Sequence, residues 1–209
     1  MAESLCGQEL IASSVYRVRP KIPNYGYGAV PWHQDSGYFE PYCDDALVLT
    51  VWLPLVDATP ENGCLWVIPR VHRNGIVRHQ PHPEHPYLMI PDSDLPPAEP
   101  VCVPVPAGGV LLRTNMTPHG SFANTTDLVR WSMDLRYQSA GLPTNAGITR
   151  LAGEAILDPQ RGVPVACYPP EADFLVRSAT RPREVIADAA RFARLRENHK
   201  RQPVTQRWE

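Results

Sequence analysis

The chain has 209 residues, a length that fits one domain with a sizeable core. Its net charge of −2 gives no electrostatic reason to expect nucleic acid, and no stretch approaches the roughly 18 apolar residues that span a membrane. The N-terminus lacks a signal-peptide pattern and the five cysteines are an odd number, so the sequence predicts a cytoplasmic protein.

Proline is unusually frequent in this chain, with 24 residues. Proline breaks helices and cannot donate a hydrogen bond within a central strand, so its abundance favours many short strands separated by turns. We therefore expect a mainly β core over residues 1–140 and a C-terminal extension over residues 141–209.

The first half of the chain contains three predicted strands. Residues 15–18 form the opening strand, and the Pro-Lys-Ile-Pro sequence of residues 20–23 is expected to be a turn. Residues 46–53 are a continuous apolar run, which is typical of a strand buried on both faces. A turn at residues 57–63 is then expected to return the chain through a partner strand at residues 64–68.

Residues 78–100 are rich in proline and acidic residues and show no periodicity. A loop of this length is usually functional or disordered, and we expect it to form a flap at the mouth of the domain. Strands are predicted to resume at residues 101–105 and 110–113. The histidines expected to be exposed on the flap are His79, His82 and His85.

Residues 128–137 alternate between polar and apolar side chains, as a strand does. Usually the apolar face of such a strand lies in the core, but a domain with a wet cavity can turn the polar face inward. In that second arrangement the apolar face needs a cover, either the C-terminal segment or a second subunit of a homo-oligomer. The polar face comprises Arg130, Ser132, Asp134 and Arg136, and the apolar face comprises Val129, Trp131, Met133, Leu135 and Tyr137.

The C-terminal extension contains a helix signal. Thr180 followed by Pro182 is a typical helix start, and the apolar stripe that follows predicts a helix over about residues 182–199, packed on the core. Its arginines are expected to form a solvated face rather than a nucleic-acid site.

The sequence His33-Gln34-Asp35 provides the first chemical signal. Residues i and i+2 of an extended strand point to the same side, so His33 and Asp35 can reach one ion together. A second histidine from a distant strand, His119, would complete the two-histidine, one-carboxylate set of non-haem Fe(II) oxygenases.

The segment between His119 and Arg130 contains turn-forming residues, because Asn and Asp side chains bond their own backbone. If a hairpin is centred between Asn124 and Thr125, Arg130 lies directly opposite His119, with Cβ atoms about 5 Å apart. A guanidinium at that position suits a dicarboxylate that chelates iron at one end, such as 2-oxoglutarate.

Four stretches resemble the phytanoyl-CoA dioxygenase family: Trp32-His33-Gln34-Asp35, the pair Val51-Trp52, the sequence Glu-Asn-Gly-Cys-Leu-Trp-Val-Ile-Pro of residues 61–69, and the stretch from Pro118 to Arg130. The resemblance covers roughly residues 15–140. It implies a double-stranded β-helix (a jelly roll, cupin-like) with a C-terminal helix after it. It also implies an Fe(II)- and 2-oxoglutarate-dependent dioxygenase that uses O₂, hydroxylates a small organic substrate and releases succinate and CO₂.

The resemblance also implies residue roles. It makes His33, Asp35 and His119 the iron ligands and Arg130 the partner of the distal carboxylate of 2-oxoglutarate. The residues that it implies around that carboxylate are Gln34, Trp52 and Ser121.

The chain departs from the family pattern at Pro69-Arg70-Val71-His72, where many members have Pro-Gly-Ser/Thr-His, and in the few residues that precede His33. Two alternatives therefore remain open. One is a cupin-type metal enzyme that uses no 2-oxoglutarate and has no need of Arg130. The other is a truncated, non-catalytic family member.

Overall fold

Two antiparallel sheets carry most of the regular structure in the computed structural model, which describes residues 1–13, 16–25, 28–39, 41–85, 87–142, 173–197 and 207–208. The larger sheet contains β1 (Leu10–Ser13), β2 (Arg17–Lys21), β4 (Leu49–Pro54), β9 (Leu111–Thr114), β11 (Arg130–Ser139) and β12 (Asp173–Arg177). The smaller sheet contains β3 (Val30–His33), β5 (Leu65–Val67), β8 (Val101–Val103) and β10 (His119–Ser121). Outside them lie the two-stranded ribbon of β6 (Gln80–Pro81) and β7 (Leu88–Met89), helix α1 (Ala2–Cys6) and helix α2 (Ala189–Glu197).

The chain passes repeatedly from one sheet to the other. The larger sheet has the order β12-β1-β11-β4-β9 with β2 also paired to β11, and the smaller sheet has the order β3-β10-β5-β8. From β2 to β5 and again from β8 to β11, each strand lies in the opposite sheet from the one before it. This alternation is a double-stranded β-helix, so the predicted mainly β jelly-roll fold is confirmed.

The space between the sheets is apolar in one part and polar in another. The apolar part is a cluster that draws side chains from both sheets: Trp52, Ala58, Cys64, Leu65 and Val105. The polar part begins with β11, where Arg130 and Asp134 are only 3% and 4% exposed while Trp131 is 42% exposed. The polar face of β11 therefore points inward, and the usual arrangement with the apolar face inside is wrong for this strand.

Helix α1 covers one end of the outer, apolar face of the larger sheet. Helix α1 packs there through Cys6 against Leu10 and Leu49. At the other end Trp131 stays partly exposed beside Val18. The N-terminal helix, which was not predicted, therefore supplies part of this cover.

Two strand predictions were wrong for reasons of sheet position. Pro20 and Lys21 belong to β2 rather than to a turn. Strand β2 pairs with β11 alone, and proline is tolerated at such an edge because its missing N–H interrupts no second ladder. Strand β5 pairs with β10 and β8 and not with β4, since the turn before it carries the chain into the other sheet.

The C-terminal helix begins later than predicted. Helix α2 starts after Asp188, whose Oδ1 accepts hydrogen bonds from the backbone N–H groups of Ala190 (2.6 Å) and Arg191 (3.1 Å). An aspartate in that position caps the first turn. Phe192 of the helix contacts Phe174 of β12 with ring centroids 4.3 Å apart. Residues 198–199 of the predicted helix lie outside the described residues, and the boundary at residue 140 stays a prediction.

The flap prediction holds only in part. Residues 78–100 contain the β6–β7 ribbon, but Leu88 and Ile90 are buried, and so is His79 with 2% exposure. The segment therefore packs against the domain, and the expectation of an exposed His79 is wrong. No helix within the described ranges is long and apolar enough to cross a bilayer.

Candidate metal and co-substrate site

The two histidines of the predicted metal site lie side by side on neighbouring strands. His33 at the end of β3 is the register partner of His119 at the start of β10. Gln34 keeps an extended backbone (φ −106°, ψ 143°) before the 3₁₀ turn Asp35–Tyr38 begins, so Asp35 returns to the side of His33. One ligand atom from each of the three residues lies within 4.8 Å of the others. The structure thus brings His33, Asp35 and His119 together.

The hydrogen bonds of the two imidazoles leave their Nε2 atoms free for a ligand. Nδ1 of His33 lies 2.8 Å from the Pro31 carbonyl, and Nδ1 of His119 lies 2.9 Å from the Thr117 carbonyl. A carbonyl can only accept, so we assign the proton to Nδ1 in His33. Nδ1 of His119 also lies 3.2 Å from Arg113 Nη1, which can only donate, but the shorter contact with the carbonyl favours the same assignment. Each Nε2 is 4.0 Å from Oδ1 of Asp35. Backbone carbonyls orient metal-bound histidines in this way.

The protonation states suit a cation. Burial lowers the pKa of His33 to about 4, against the opposing effect of Asp35, and burial together with Arg113 holds the pKa of His119 well below its usual range. Burial alone would raise the pKa of Asp35, but the guanidinium groups of Arg113 and Arg136 outweigh it and hold that pKa well below its usual value. Two neutral imidazoles and one carboxylate are the donor set that fits Fe(II).

Asp35 is held by contacts that leave one oxygen facing the imidazoles. Its Oδ2 accepts hydrogen bonds from Thr50 Oγ1 (2.9 Å) and from Arg113 Nη1 (2.7 Å). Its Oδ1 accepts one from Arg136 Nη2 (3.1 Å) and lies toward both Nε2 atoms. These buried bonds fix the carboxylate before any ligand binds.

The 3₁₀ turn that carries Asp35 is anchored on both sides. Asn115 accepts from the Ser36 N–H through its carbonyl (3.1 Å) and donates from its side-chain amide to Ser36 Oγ (2.8 Å). Near the other end of the chain, Trp208 Nε1 donates to the Gly37 carbonyl (2.7 Å). The position of the carboxylate is therefore set by segments distant in sequence.

The triad opens into a cavity of about 280 Å³ between the sheets, which Trp52, Ser121 and Arg130 also line. Arg130 donates from Nη1 to Ser132 Oγ (2.6 Å) and from Nη2 to the Gly63 carbonyl (3.1 Å), and its Cζ lies 5.3 Å from the Trp52 ring centroid. Burial lowers the pKa of Arg130 to about 10, so it stays charged at neutral pH. A guanidinium fixed in this way is suited to a carboxylate.

Gln34 lies away from this cavity, contrary to the role that the resemblance implied. Its side-chain amide donates to the carbonyls of Gly75 (3.0 Å) and Met116 (2.8 Å), and its Oε1 accepts from the Val77 N–H (2.7 Å). Its backbone N–H donates to Nε2 of His79 (2.9 Å). Gln34 therefore connects loops behind the triad, because both of its amide N–H donors and its amide oxygen are bonded there.

The hairpin predicted between His119 and Arg130 is wrong. His119 lies in β10 of the smaller sheet, and Arg130 lies in β11 of the larger sheet, where its register partner is Lys21. The Asn124 Oδ1 does accept from the Thr126 N–H (3.0 Å), as an Asx turn requires, but its Nδ2 donates to the Lys21 carbonyl (2.8 Å). The Asn124 turn therefore belongs to a connection that passes from the smaller sheet to the larger one.

Several charged residues of the cavity were missed. Strand β2 places Arg17, Arg19 and Lys21 on its inward face, opposite Asp134, Ser132 and Arg130 of β11. The alternation of Arg17-Val18-Arg19-Pro20-Lys21 is typical of a strand with its three cations on one face. Pro20, however, favours a turn at this position. The pairing of Asp35 with Arg113 and Arg136 has no local sequence signal, since those partners are distant in the chain.

Lys21 lies deep in the cavity, 3% exposed, with Nζ donating to Ser121 Oγ (2.7 Å) and to the Phe122 carbonyl (2.6 Å). Burial, and then repulsion from Arg130, lowers its pKa to about 7. Between about pH 7 and the ordinary lysine value, the unfolded chain binds more protons than the folded one. The stability of the ligand-free protein should therefore rise with pH across that window.

We expect Lys21→Met to flatten this pH dependence. The wild-type slope from one such group is at most about 1.4 kcal/mol per pH unit. Urea unfolding of both proteins at several pH values above 7 measures it. A variant as steep as the wild type would assign the dependence to another group.

Comparison with known proteins places these features in a family. The family model described as "Phytanoyl-CoA dioxygenase (PhyH)" matches residues 1–132. The "Phytanoyl-CoA dioxygenase domain-containing protein 1" of Danio rerio is 37% identical over 117 residues, which cover 53% of this chain and 39% of the relative. "Phytanoyl-CoA dioxygenase 1" of Oryza sativa subsp. japonica is 35% identical over 121 residues, which cover 55% of this chain and 40% of the relative.

A solved structure is also similar to this chain. The protein EvdO2 from Micromonospora carbonacea var. aurantiaca, complexed with 2-oxoglutarate, superposes with a TM-score of 0.56 at 31% identity, covering 66% of this chain and 58% of that one. The chain spans about two fifths of the length of the curated relatives that it matches. Because the family model matches more than half of its residues, the chain belongs to the phytanoyl-CoA dioxygenase family.

Proposed function

We propose that this protein is an Fe(II)- and 2-oxoglutarate-dependent dioxygenase that hydroxylates a small organic substrate with O₂ and releases succinate and CO₂. The observation that carries the proposal is the convergence of His33, Asp35 and His119 in a cavity that also contains Arg130. The metal ligands alone would also suit other oxygenases. A buried arginine in the same cavity favours a co-substrate with a carboxylate at its far end.

Five residues of the cavity have a defined part in the proposed reaction. His33 Nε2, His119 Nε2 and Asp35 Oδ1 would hold the iron, which when bound activates O₂ and oxidises the substrate. Arg130 would pair with the distal carboxylate of 2-oxoglutarate, while its guanidinium packs on the Trp52 ring. Asp35 and Arg130 are buried between the sheets, where the lower dielectric strengthens these charge interactions.

Ser121 has a supporting part in the same pocket. Its hydroxyl accepts a hydrogen bond from Lys21 Nζ and can still donate to a carboxylate. The related protein EvdO2, whose structure contains 2-oxoglutarate, supports the choice of co-substrate. The chain matches only part of its relatives, so the activity and the substrate are proposals for this chain.

The direct test is an assay of succinate release. Purified protein is expected to convert 2-oxoglutarate slowly to succinate in the presence of Fe(II) and O₂, and faster when a panel of small molecules contains a substrate. The control replaces His82, which lies outside the cavity, by alanine and should behave as the wild type.

Two other outcomes would contradict the proposal. Turnover of a substrate that needs the metal but no 2-oxoglutarate would favour the cupin-type alternative. Protein that binds Fe(II) and 2-oxoglutarate in the absence of oxygen, yet releases no succinate with any panel member, would favour the non-catalytic alternative.

A further inference from the structure

The charges of the cavity are far from balanced. Of the described residues that line it, six are cationic and two are carboxylates, so the formal surplus is four positive charges. The carboxylates are already paired, Asp35 with Arg113 and Arg136, and Asp134 with Arg19. The six cations are Arg17, Arg19, Lys21, Arg113, Arg130 and Arg136.

The proposed cofactors do not remove this surplus. Fe(II) brings two positive charges and 2-oxoglutarate brings two negative charges, so together they leave the balance unchanged. Arg130 is accounted for by the distal carboxylate, and Lys21 is its register partner on β2. Arg17 is then the cation of the cavity that has no assigned anion, and it lies on the same inward face of β2 as Lys21.

Arg17 is placed toward the metal end of the cavity. It is the register partner of Asp134, which lies two residues before Arg136 on β11. Arg136 touches the metal ligand Asp35, so Arg17 is about one inward-facing position, roughly 7 Å along the strand direction, from the level of the triad. In contrast, Lys21 and Arg130 lie two such positions further along.

The guanidinium of Arg17 also has unused bonding capacity. Within the part of the chain that the structure describes, its Nε is buried and has no hydrogen-bond partner. A buried donor without a partner is costly and is normally satisfied by a ligand or by water. The neighbouring Arg19 keeps the local potential positive although it pairs with Asp134.

We propose that the primary substrate carries an oxyanion, a carboxylate or a phosphate-type group, which Arg17 binds at the metal end of the cavity. This inference rests on the proposed function for its account of the co-substrate charges. The anchored anion would hold the rest of the substrate beside the triad, so that one C–H bond faces the metal position. A neutral substrate would leave the Arg17 guanidinium, whose Nε is buried, without an ion-pair partner among the described residues.

The test measures binding rather than turnover. Protein loaded with Fe(II) and saturating 2-oxoglutarate without oxygen is titrated by calorimetry with benzoate, with its neutral counterpart benzamide, and with inorganic phosphate. We expect benzoate or phosphate to bind, and benzamide to bind at least about tenfold more weakly. Comparison of the two anions then distinguishes a carboxylate from a phosphate-type group.

Variants of Arg17 connect the anion to this residue. Arg17→Gln should lose at least about tenfold in affinity for the preferred anion and keep its affinity for 2-oxoglutarate. Arg17→Lys should retain the preference for benzoate over benzamide, which guards against a variant that has lost its fold. The matched control is Arg73→Gln, because Arg73 is exposed and lies outside the cavity.

Three results would overturn the inference. They are equal binding of benzoate and benzamide, no binding of either anion at millimolar concentration, and a loss in Arg17→Gln that falls on 2-oxoglutarate instead of the second anion. Failure of the proposed function is a separate result, since it appears as wild-type protein that does not bind 2-oxoglutarate. In that case the same anion titrations, made on protein without co-substrate, still decide the role of Arg17.

Discussion

Replacing His119 by alanine is expected to abolish succinate release and to weaken Fe(II) binding by more than about 100-fold, because loss of supporting groups around a metal already costs 10- to 100-fold. His119 supplies one of the three donor atoms that the described residues bring together in the candidate metal site. Calorimetry with Fe(II) in the absence of oxygen measures the affinity. The paired variant His82→Ala removes an imidazole outside the cavity and should bind iron as the wild type does.

Asp35→Ala should also lose the metal and in addition destabilise the metal-free protein. Asp35 is a buried counter-ion of both Arg113 and Arg136, so its removal breaks two buried ion pairs from one side. Breaking a buried ion pair from one side typically costs about 3–5 kcal/mol. Thermal unfolding of metal-free protein should show this loss for Asp35→Ala and a smaller one for His119→Ala.

These two variants together separate two explanations of the cluster. If Asp35→Ala loses stability but His119→Ala binds Fe(II) as the wild type does, the iron binds elsewhere and the cluster is a structural ion-pair network. If both variants lose Fe(II), the three residues form one metal site.

The part of the site that depends on local spacing was predictable from the sequence. His33 and Asp35 share a side because Gln34 is extended, and that requires only two backbone dihedral angles. The inward polar face of β11 likewise follows from strict alternation, once the space beneath that strand is known to be polar. The choice between the two faces needed the fold.

The partner strands of each residue were not predictable in this way. The predicted pairing of His119 with Arg130 requires both strands to lie in one sheet, and here they lie in different sheets. Arg130 reaches the cavity nevertheless, because the inner faces of both sheets enclose the same space. Arg130 therefore lies in the cavity with His119, as predicted, but it reaches the cavity from the opposite sheet and not across a hairpin.

The three cations of β2, Arg17, Arg19 and Lys21, were not predicted to share a face because of Pro20. Proline usually interrupts a strand, and Pro20 was therefore assigned to a turn. At an edge position its missing N–H costs nothing, and its neighbours Arg19 and Lys21 continue the alternation that Arg17 begins. Only the pairing of β2 with β11 revealed that the three cations face the triad cavity.

Arg130→Lys is expected to weaken 2-oxoglutarate binding by about tenfold to 100-fold and to leave Fe(II) affinity unchanged. Lysine keeps the charge but loses the planar fork, and one charge-assisted hydrogen bond is worth about 1.5–3 kcal/mol. Lysine would also lose the contacts with Ser132, Gly63 and the Trp52 ring that hold the guanidinium in place. Calorimetry with 2-oxoglutarate, on protein loaded with Fe(II) in the absence of oxygen, measures the effect.

The matched control for this prediction is Arg73→Lys, the same substitution at an exposed position outside the cavity. Unchanged 2-oxoglutarate affinity in Arg130→Lys would remove Arg130 from the co-substrate site. Lys21→Met tests the neighbouring cation, since Lys21 contacts Ser121 and faces Arg130 across the two strands. A larger loss in Lys21→Met than in Arg130→Lys would make Lys21 the main partner of the distal carboxylate, because a point charge on β2 would then bind it more strongly than the arginine fork on β11.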